Sequence, residues 1–206
     1  MDYKLHSFRH GEIILNNEPS FKKNWIELLD TIQSITDNEI IELYENNSRK
    51  AKSISESINN ILKNKLIALA WNEESYIFQD DEYSGNRWRL DFAKQSISVE
   101  VAFNHGEAIA WNLIKPVLAG ELTHVKKEIN TEIGVIICAT KELKTKGGFD
   151  GAVGEYEKFL TYLNPLRDIL SVPMVIIGLE APKSFEIQVE KIDGKNQGIV
   201  KKIGNF

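Results

Sequence analysis

The chain reads as an α/β protein, a mixed β-sheet sandwiched by helices, on three observations. Two adjoining stretches between Trp88 and Phe103 alternate apolar and polar residues with the two-residue period of strands. Residues 132–140 are apolar almost without interruption, as expected of a strand covered on both faces. Helical periodicity marks the segments before, between and after these runs. From residue 88 to 179 the order is therefore strand, strand, helix, strand, helix, strand, which builds a mixed sheet with helices packed on it.

Each element has its own signal. Near the amino terminus Ser20 is placed to cap a helix whose Phe21, Trp25, Leu28, Leu29 and Ile32 recur at helical spacing. A second helix is expected over 53–69, with Ile54, Ile58, Ile61, Leu62, Leu66 and Leu69 on one stripe. Glu56 falls on the opposite side and reads as a solvated acid rather than a metal ligand. The acidic stretch Asp80-Asp81-Glu82 and Ser84-Gly85-Asn86 precede the paired strands. A helix over about 107–125 should kink at Pro116. Residues 141–154 read as a long loop holding Gly147, Gly148, Gly151 and Gly154, and a further helix is expected over 155–170. Pro173 precedes a strand at 174–179, and the tail from 186 to 200 reads as strand-rich with a turn at Asp193-Gly194. The whole, residues 1–206, is expected to form one domain with its αβ core at about 53–180 and that strand-rich tail beyond it.

Composition narrows the function. A chain of 206 residues, 42% hydrophobic, can bury one substantial core. Its formal net charge of −5 argues against a broadly basic coat, so any nucleic-acid binding must use cations gathered on one surface. The single cysteine, Cys138, lies inside an apolar run, can form no internal disulfide, and reads as a buried thiol. The opening Met1-Asp2-Tyr3-Lys4-Leu5-His6 lacks the apolar stretch of a signal peptide, and no run approaches the roughly 18 apolar residues of a membrane span. A cytoplasmic location without membrane contact is the expectation.

The chemistry is concentrated at 89–103. Trp88, Leu90 and Phe92 are assigned to one face of the first strand, and Arg89, Asp91 and Ala93 to the other. On the second strand Ile97, Val99, Val101 and Phe103 share the apolar face, leaving Ser98, Glu100, Ala102 and Asn104 on the polar one. A two-residue turn at Gln95-Ser96 would pair Lys94 with Ile97 and Phe92 with Val99, and set Asp91 opposite Glu100. Like charges that close destabilise a hairpin unless one is protonated or a cation sits between them. Oxygen ligands suit Mg²⁺, Ca²⁺ or Mn²⁺, and no His/Cys cluster suits zinc. Spacing alone leaves a second reading open, a solvated hairpin carrying two unrelated acids.

These residues resemble the PD-(D/E)xK nucleases and, within them, the type II restriction endonucleases of the BglII and BstYI kind. The likeness lies in Asp91-Phe92, the eight residues between Asp91 and Glu100, and Val99-Glu100-Val101-Ala102-Phe103. The opening Phe8-Arg9-His10-Gly11-Glu12-Ile13-Ile14-Leu15-Asn16, the spacing of Asn59, Leu66 and Trp71, the strand around Ile136 and the ending Val172-Pro173-Met174-Val175-Ile176-Ile177-Gly178-Leu179 extend it over residues 8–180. What the resemblance implies is a restriction-endonuclease-like core and Mg²⁺-dependent hydrolysis of duplex DNA at a short palindrome by a homodimer. Mn²⁺ could substitute, and Ca²⁺ could bind without supporting cleavage. Members of this family commonly read sites with a GATC core.

By the same resemblance Asp91, Glu100 and the carbonyl of Val101 are the metal ligands, and position 102 is the third catalytic place. The pattern departs there: relatives carry a polar group, Gln in this branch and Lys or Glu elsewhere, where this chain has Ala102. Ala102 is a natural variant, the mark of an inactivated member, or a substitution made to trap a complex. The chain could therefore be a nuclease-fold protein that binds specific DNA without cleaving it. Lys94, His105 or a substrate phosphate are candidates for orienting water in its stead; Lys94 has a solvated alternative and His105 a capping one. His10 and His124 show no partner spacing. For DNA reading, Asn104 and His105 leave the second strand beside the acids, and Lys144, Lys146 and Asp150 lie in the segment that corresponds to a recognition loop. The alternative for that segment is a flexible polar surface loop. The helices at 107–125 and 155–170 are the expected dimer elements.

Overall fold

The computed structural model describes residues 1–47, 51–79, 88–121, 131–192 and 194–204. Asp80-Asp81-Glu82, Ser84-Gly85-Asn86, His124, the expected end of the 107–125 helix, and Asp193 lie outside the described residues. Strands β1 (Tyr3–Phe8), β2 (Asn72–Tyr76), β3 (Arg89–Lys94), β4 (Ile97–Val101), β5 (Ile133–Ala139) and β6 (Met174–Leu179) form a six-stranded sheet in the order β1-β6-β5-β4-β3-β2. The centre, β4-β5-β6, is parallel, and antiparallel strands flank it on each side. A separate two-stranded sheet pairs β7 (Phe185–Ile192) with β8 (Lys195–Lys202), where a strand-rich tail was expected.

Alternation along the central strands sorts the core into two layers. Val135 and Ile137 of β5 face a cluster with Trp25 and Leu28 of α2 (Pro19–Gln33), Ile40 of α3 (Asp37–Asn46) and Ile58 of α4 (Ser55–Ala68). Ile136 and Cys138 face the opposite layer, with Ile109 and Leu113 of α5 (Ile109–Glu121) and Phe159 of α7 (Tyr156–Leu163). Cys138 is fully buried and free, and burial pushes its thiol well up. Two shorter helices complete the described set, α1 (Gly11–Asn17) and α6 (Lys141–Lys146).

Several elements differ from expectation for identifiable reasons. The first long helix is capped at Glu18 rather than Ser20, because Pro19 takes the first helical position, where a missing N–H costs nothing. Leu69 ends up 40% exposed, since α4 stops at Ala68. The segment 141–154 opens with a helix rather than a loop, because the Thr140 hydroxyl accepts the Leu143 N–H at 3.2 Å and caps it. The helix expected over 155–170 ends at Leu163 and gives way to turns: Asn164 keeps helical backbone at φ −71°, ψ −49°, but Pro165 has no N–H to continue the ladder. Among the described residues no helix is long and apolar enough to cross a membrane.

Candidate active site

The β3–β4 turn sets the register as the sequence implies: Lys94 pairs with Ile97 and Phe92 with Val99. Gln95 takes the left-handed region at φ 49° that a two-residue turn demands, and its side-chain oxygen accepts Asn24 Nδ2 at 2.7 Å. That long-range bond compensates for the absence of a glycine or asparagine.

Regular pairing stops at Asp91. The β3–β4 register ends at Phe92–Val99, and on the other flank the β2–β3 register skips the position opposite Asp91, where Glu74 sits at φ 48°. The Val101 N–H instead donates to Asp91 Oδ2 at 2.7 Å. This lapse breaks the expected alternation. Leu90 packs with Ala93, Ile77 and Phe78, while Phe92 joins Ile97 and Val99 in the main core.

The face of β4 expected to be polar is buried under α5. Ser98 is fully buried, Glu100 is 2% exposed and Ala102 1%. Ser98 Oγ donates to the Ile133 carbonyl at 3.2 Å, and Ala102 packs with Ile109 and Leu113. Glu100 holds one partner: Lys115 Nζ of α5 donates to Oε2 at 2.6 Å, whereas Oε1 is buried with no hydrogen bond. The helix is held there by Pro116, against which a Cβ at Gly134 would lie 2.6 Å away. Burial, then the charge of Asp91, pushes the Glu100 carboxyl up to about 8, against the pull of Lys115. The Asp91 amide also favours the charged form without meeting hydrogen-bond geometry. Asp91 is raised as well, by burial first, opposed by the Val101 N–H and Lys115 and reinforced by Glu74.

Asp91 opens onto a cleft of about 240 Å³ whose walls include Val101 and Phe92 and, from β2 and α4, Glu73, Glu74, Asn59, Asn60 and Lys63. Glu74 is paired with Arg89 at 2.7 Å and Glu73 with Lys63. The donor set of two carboxylates and the Val101 carbonyl is all hard oxygen, and the orphaned Glu100 Oε1 is an acceptor waiting for a cation. These residues fit a divalent ion. Among the described residues no cluster of three or more His, Cys, Asp or Glu side chains is placed to hold one.

A family model described as restriction endonuclease BglII/BglIII matches residues 3–179. The chain belongs to that family. Among solved structures, BglII complexed with a DNA 16-mer superposes with a TM-score of 0.66 at 19% identity, covering 98% of this chain and 89% of that one. Free BglII gives 0.59 at 17% identity, covering 98% and 100%. Both show the BglII fold. The comparison with curated proteins finds no match.

Within this BglII-family fold the remaining candidates fall into two groups. Asn104, His105 and Asp150 come together: Gly106 N–H donates to the Ala152 carbonyl at 2.7 Å, Gly154 N–H to that of Asn104 at 3.0 Å, and His105 bridges to Val153. Asp150 Oδ1 accepts the Ala152 N–H at 2.9 Å, which with Lys52 holds its carboxyl below the usual range. Lys146, half-buried in the last turn of α6, pairs with Glu142 at 2.6 Å. Lys144 is engaged inward by Glu155 and the Val153 carbonyl. Lys94 is engaged elsewhere too, donating to Glu27 at 2.5 Å and to the Leu69 carbonyl at 2.7 Å. His105 precedes a short 3-10 turn, Gly106–Ala108, and its side chain makes no capping bond. His10 takes φ 62° ahead of α1 and also makes no side-chain cap. Glu56 is exposed, as expected, and accepts from Asn47 at 3.3 Å.

Sequence reading missed Lys115. Its signal was available: it is the only charged residue between Ala108 and Gly120, in a mostly apolar segment.

Proposed function

We propose that this chain is a type II restriction endonuclease that hydrolyses phosphodiester bonds of duplex DNA at a short palindrome, acting as a cytoplasmic homodimer with Mg²⁺. The observation that carries this reading is the buried Glu100, its Oε1 unpartnered, beside an Asp91 that faces an open cleft. Family membership supports the nuclease chemistry, and the DNA in the superposed BglII complex supports the substrate class. Asp91, Glu100 and the Val101 carbonyl hold the ion. When bound, it polarises the scissile phosphate and lowers the pKa of a water. Asp91 is aimed by the Val101 N–H, and Glu100 is kept from bulk water by α5. The ridge of Asn104, His105 and Asp150, together with Lys146 of α6, contacts the groove and backbone. A palindrome is read most simply by a two-fold pair, with α5 and α7 between the subunits.

One observation favours a second reading. Ala102 is sealed in an apolar cluster with Ile109 and Leu113, so position 102 presents no polar group to a substrate, as in a protein that binds DNA without cutting it. Incubation with mixed-sequence duplex DNA in Mg²⁺ or Mn²⁺, with end mapping, separates the two. Discrete cuts within a repeated sequence support the endonuclease; uncut DNA with sequence-specific binding in Ca²⁺ supports the second reading. No cleavage and no salt-dependent affinity would end both.

A further inference from the structure

The reading above leaves one chemical role without a residue. Family members place a polar side chain two positions after the second acid, and here that place holds the buried methyl of Ala102. Lysines on helices normally extend their ammonium into water. Lys115 does the reverse: its side chain is 12% exposed and its Nζ lies 2.6 Å from Glu100 Oε2, on the same sheet face as Ala102. The contact between Pro116 and Gly134 fixes the phase of α5 and so turns the preceding residue toward β4. An ammonium has three donors, and a single bond to Oε2 leaves two uncommitted.

We propose that Lys115, acting from α5, makes the contact to the reacting phosphate and its attacking water that residue 102 cannot make, an inference that rests on the endonuclease reading. In the hydrolysis the water oxygen bonds to phosphorus and one P–O ester bond breaks. The departing oxygen gains a proton, and the attacking water gives one up to solvent. Lys115 remains an ammonium throughout, donating hydrogen bonds to the water and to a non-bridging oxygen. In the DNA-free protein the same ammonium donates to Glu100 Oε2.

The test uses the full chain with Lys115→Met, and with Ala102→Lys added to it. Plasmid cleavage in Mg²⁺ should fall on the order of 100-fold in kcat for Lys115→Met, with KM little changed. Ala102→Lys in that background should restore a substantial part of it by returning an ammonium to the same face. A second readout is independent of turnover. In Ca²⁺, the salt dependence of binding to a duplex carrying the mapped site should lose about 0.9 in slope in Lys115→Met, as one phosphate contact disappears. Should thermal melting show Lys115→Met unfolded, Lys115→Gln, which keeps a donor for Glu100 without the charge, replaces it. Cleavage within about threefold of wild type overturns the proposal, being too small for a lost donor in the transition state. So does a loss of cleavage with an unchanged salt slope and no rescue, which marks Lys115 as a structural counter-ion only. Wild-type protein that leaves all DNA intact sinks the endonuclease reading itself, whereas a cutting wild type with a cutting Lys115→Met sinks this inference alone.

Discussion

The Val101 amide donates to Asp91 Oδ2 across 2.7 Å, at the residue where β3 loses its ladder pairing on both flanks. Side chain and main chain are thus exchanged: an acid completes the hydrogen bonding that a strand partner would otherwise supply. Asp91→Asn keeps an acceptor for that N–H, so its stability should stay near wild type while cleavage falls by on the order of 100-fold or more. Asp91→Ala leaves the amide unpaired and should also cost about 1–3 kcal/mol in chemical denaturation. Equal stabilities for the two variants would contradict the bond's role.

Glu100 gives the metal-free protein a definite pH dependence. Its folded carboxyl is raised from 4.5 to about 8, so over that interval the unfolded chain has lost the proton that the folded chain retains. Stability contributed by this group is full below about pH 4.5 and declines as pH rises toward 8, and Asp91, also raised, acts in the same direction. Urea denaturation at a series of pH values should show this fall in wild type and a shallower one in Glu100→Gln. A divalent ion should stabilise the wild type more at pH 8 than at pH 5, since binding requires the carboxylate. A wild-type curve parallel to that of Glu100→Gln would exclude the effect.

Gly134→Ala tests the seating of α5. The added Cβ would meet the Pro116 ring at 2.6 and 2.9 Å and Met174 at 3.3 Å. A ring inside a helix cannot swing aside, so about 1–3 kcal/mol of stability should be lost. Displacement of α5 also moves Lys115, and cleavage should drop further than the change in folded fraction explains. Melting curves and rates measured together check this.

The ridge built from Asn104, His105 and Asp150 divides into positioning and reading parts. Lys146→Ala should weaken binding to all duplexes alike and lower the salt slope by about 0.9. Asp150→Asn retains an oxygen for the Ala152 N–H, so stability should hold, while a change in preference among substituted sites would show that Asp150 reads a base. Competition binding against single-base variants of the mapped site distinguishes the two behaviours.

The register beside the turn was legible because a period of two and a turn length suffice to set it, and Phe92–Val99 pairs as that arithmetic requires, although the expected Asp91–Glu100 pair does not form in the ladder. What arithmetic cannot see is the lapse at Asp91, which depends on Glu74 of a third strand. Burial of the Glu100 face was equally hidden, because α5 covers it only through tertiary packing. Other elements carried readable signals that went unused. Thr36, whose side chain accepts the Glu39 N–H at 3.2 Å, opens α3 with a cap followed three residues later by an acid. Pro165 marked the end of α7. β1, an edge strand of mixed composition beside β6, offers no such pattern.

The interruption at Asp91 has a bearing on how this site tolerates sequence drift. Because the carboxylate's direction comes from a main-chain donor and from a gap in two ladders, it is carried by features every residue type shares. Substitutions along β2 and β3 that keep position 74 in the left-handed region should therefore leave the carboxylate's direction unchanged, whereas one that lets position 74 return to extended backbone would repair the ladder and redirect it.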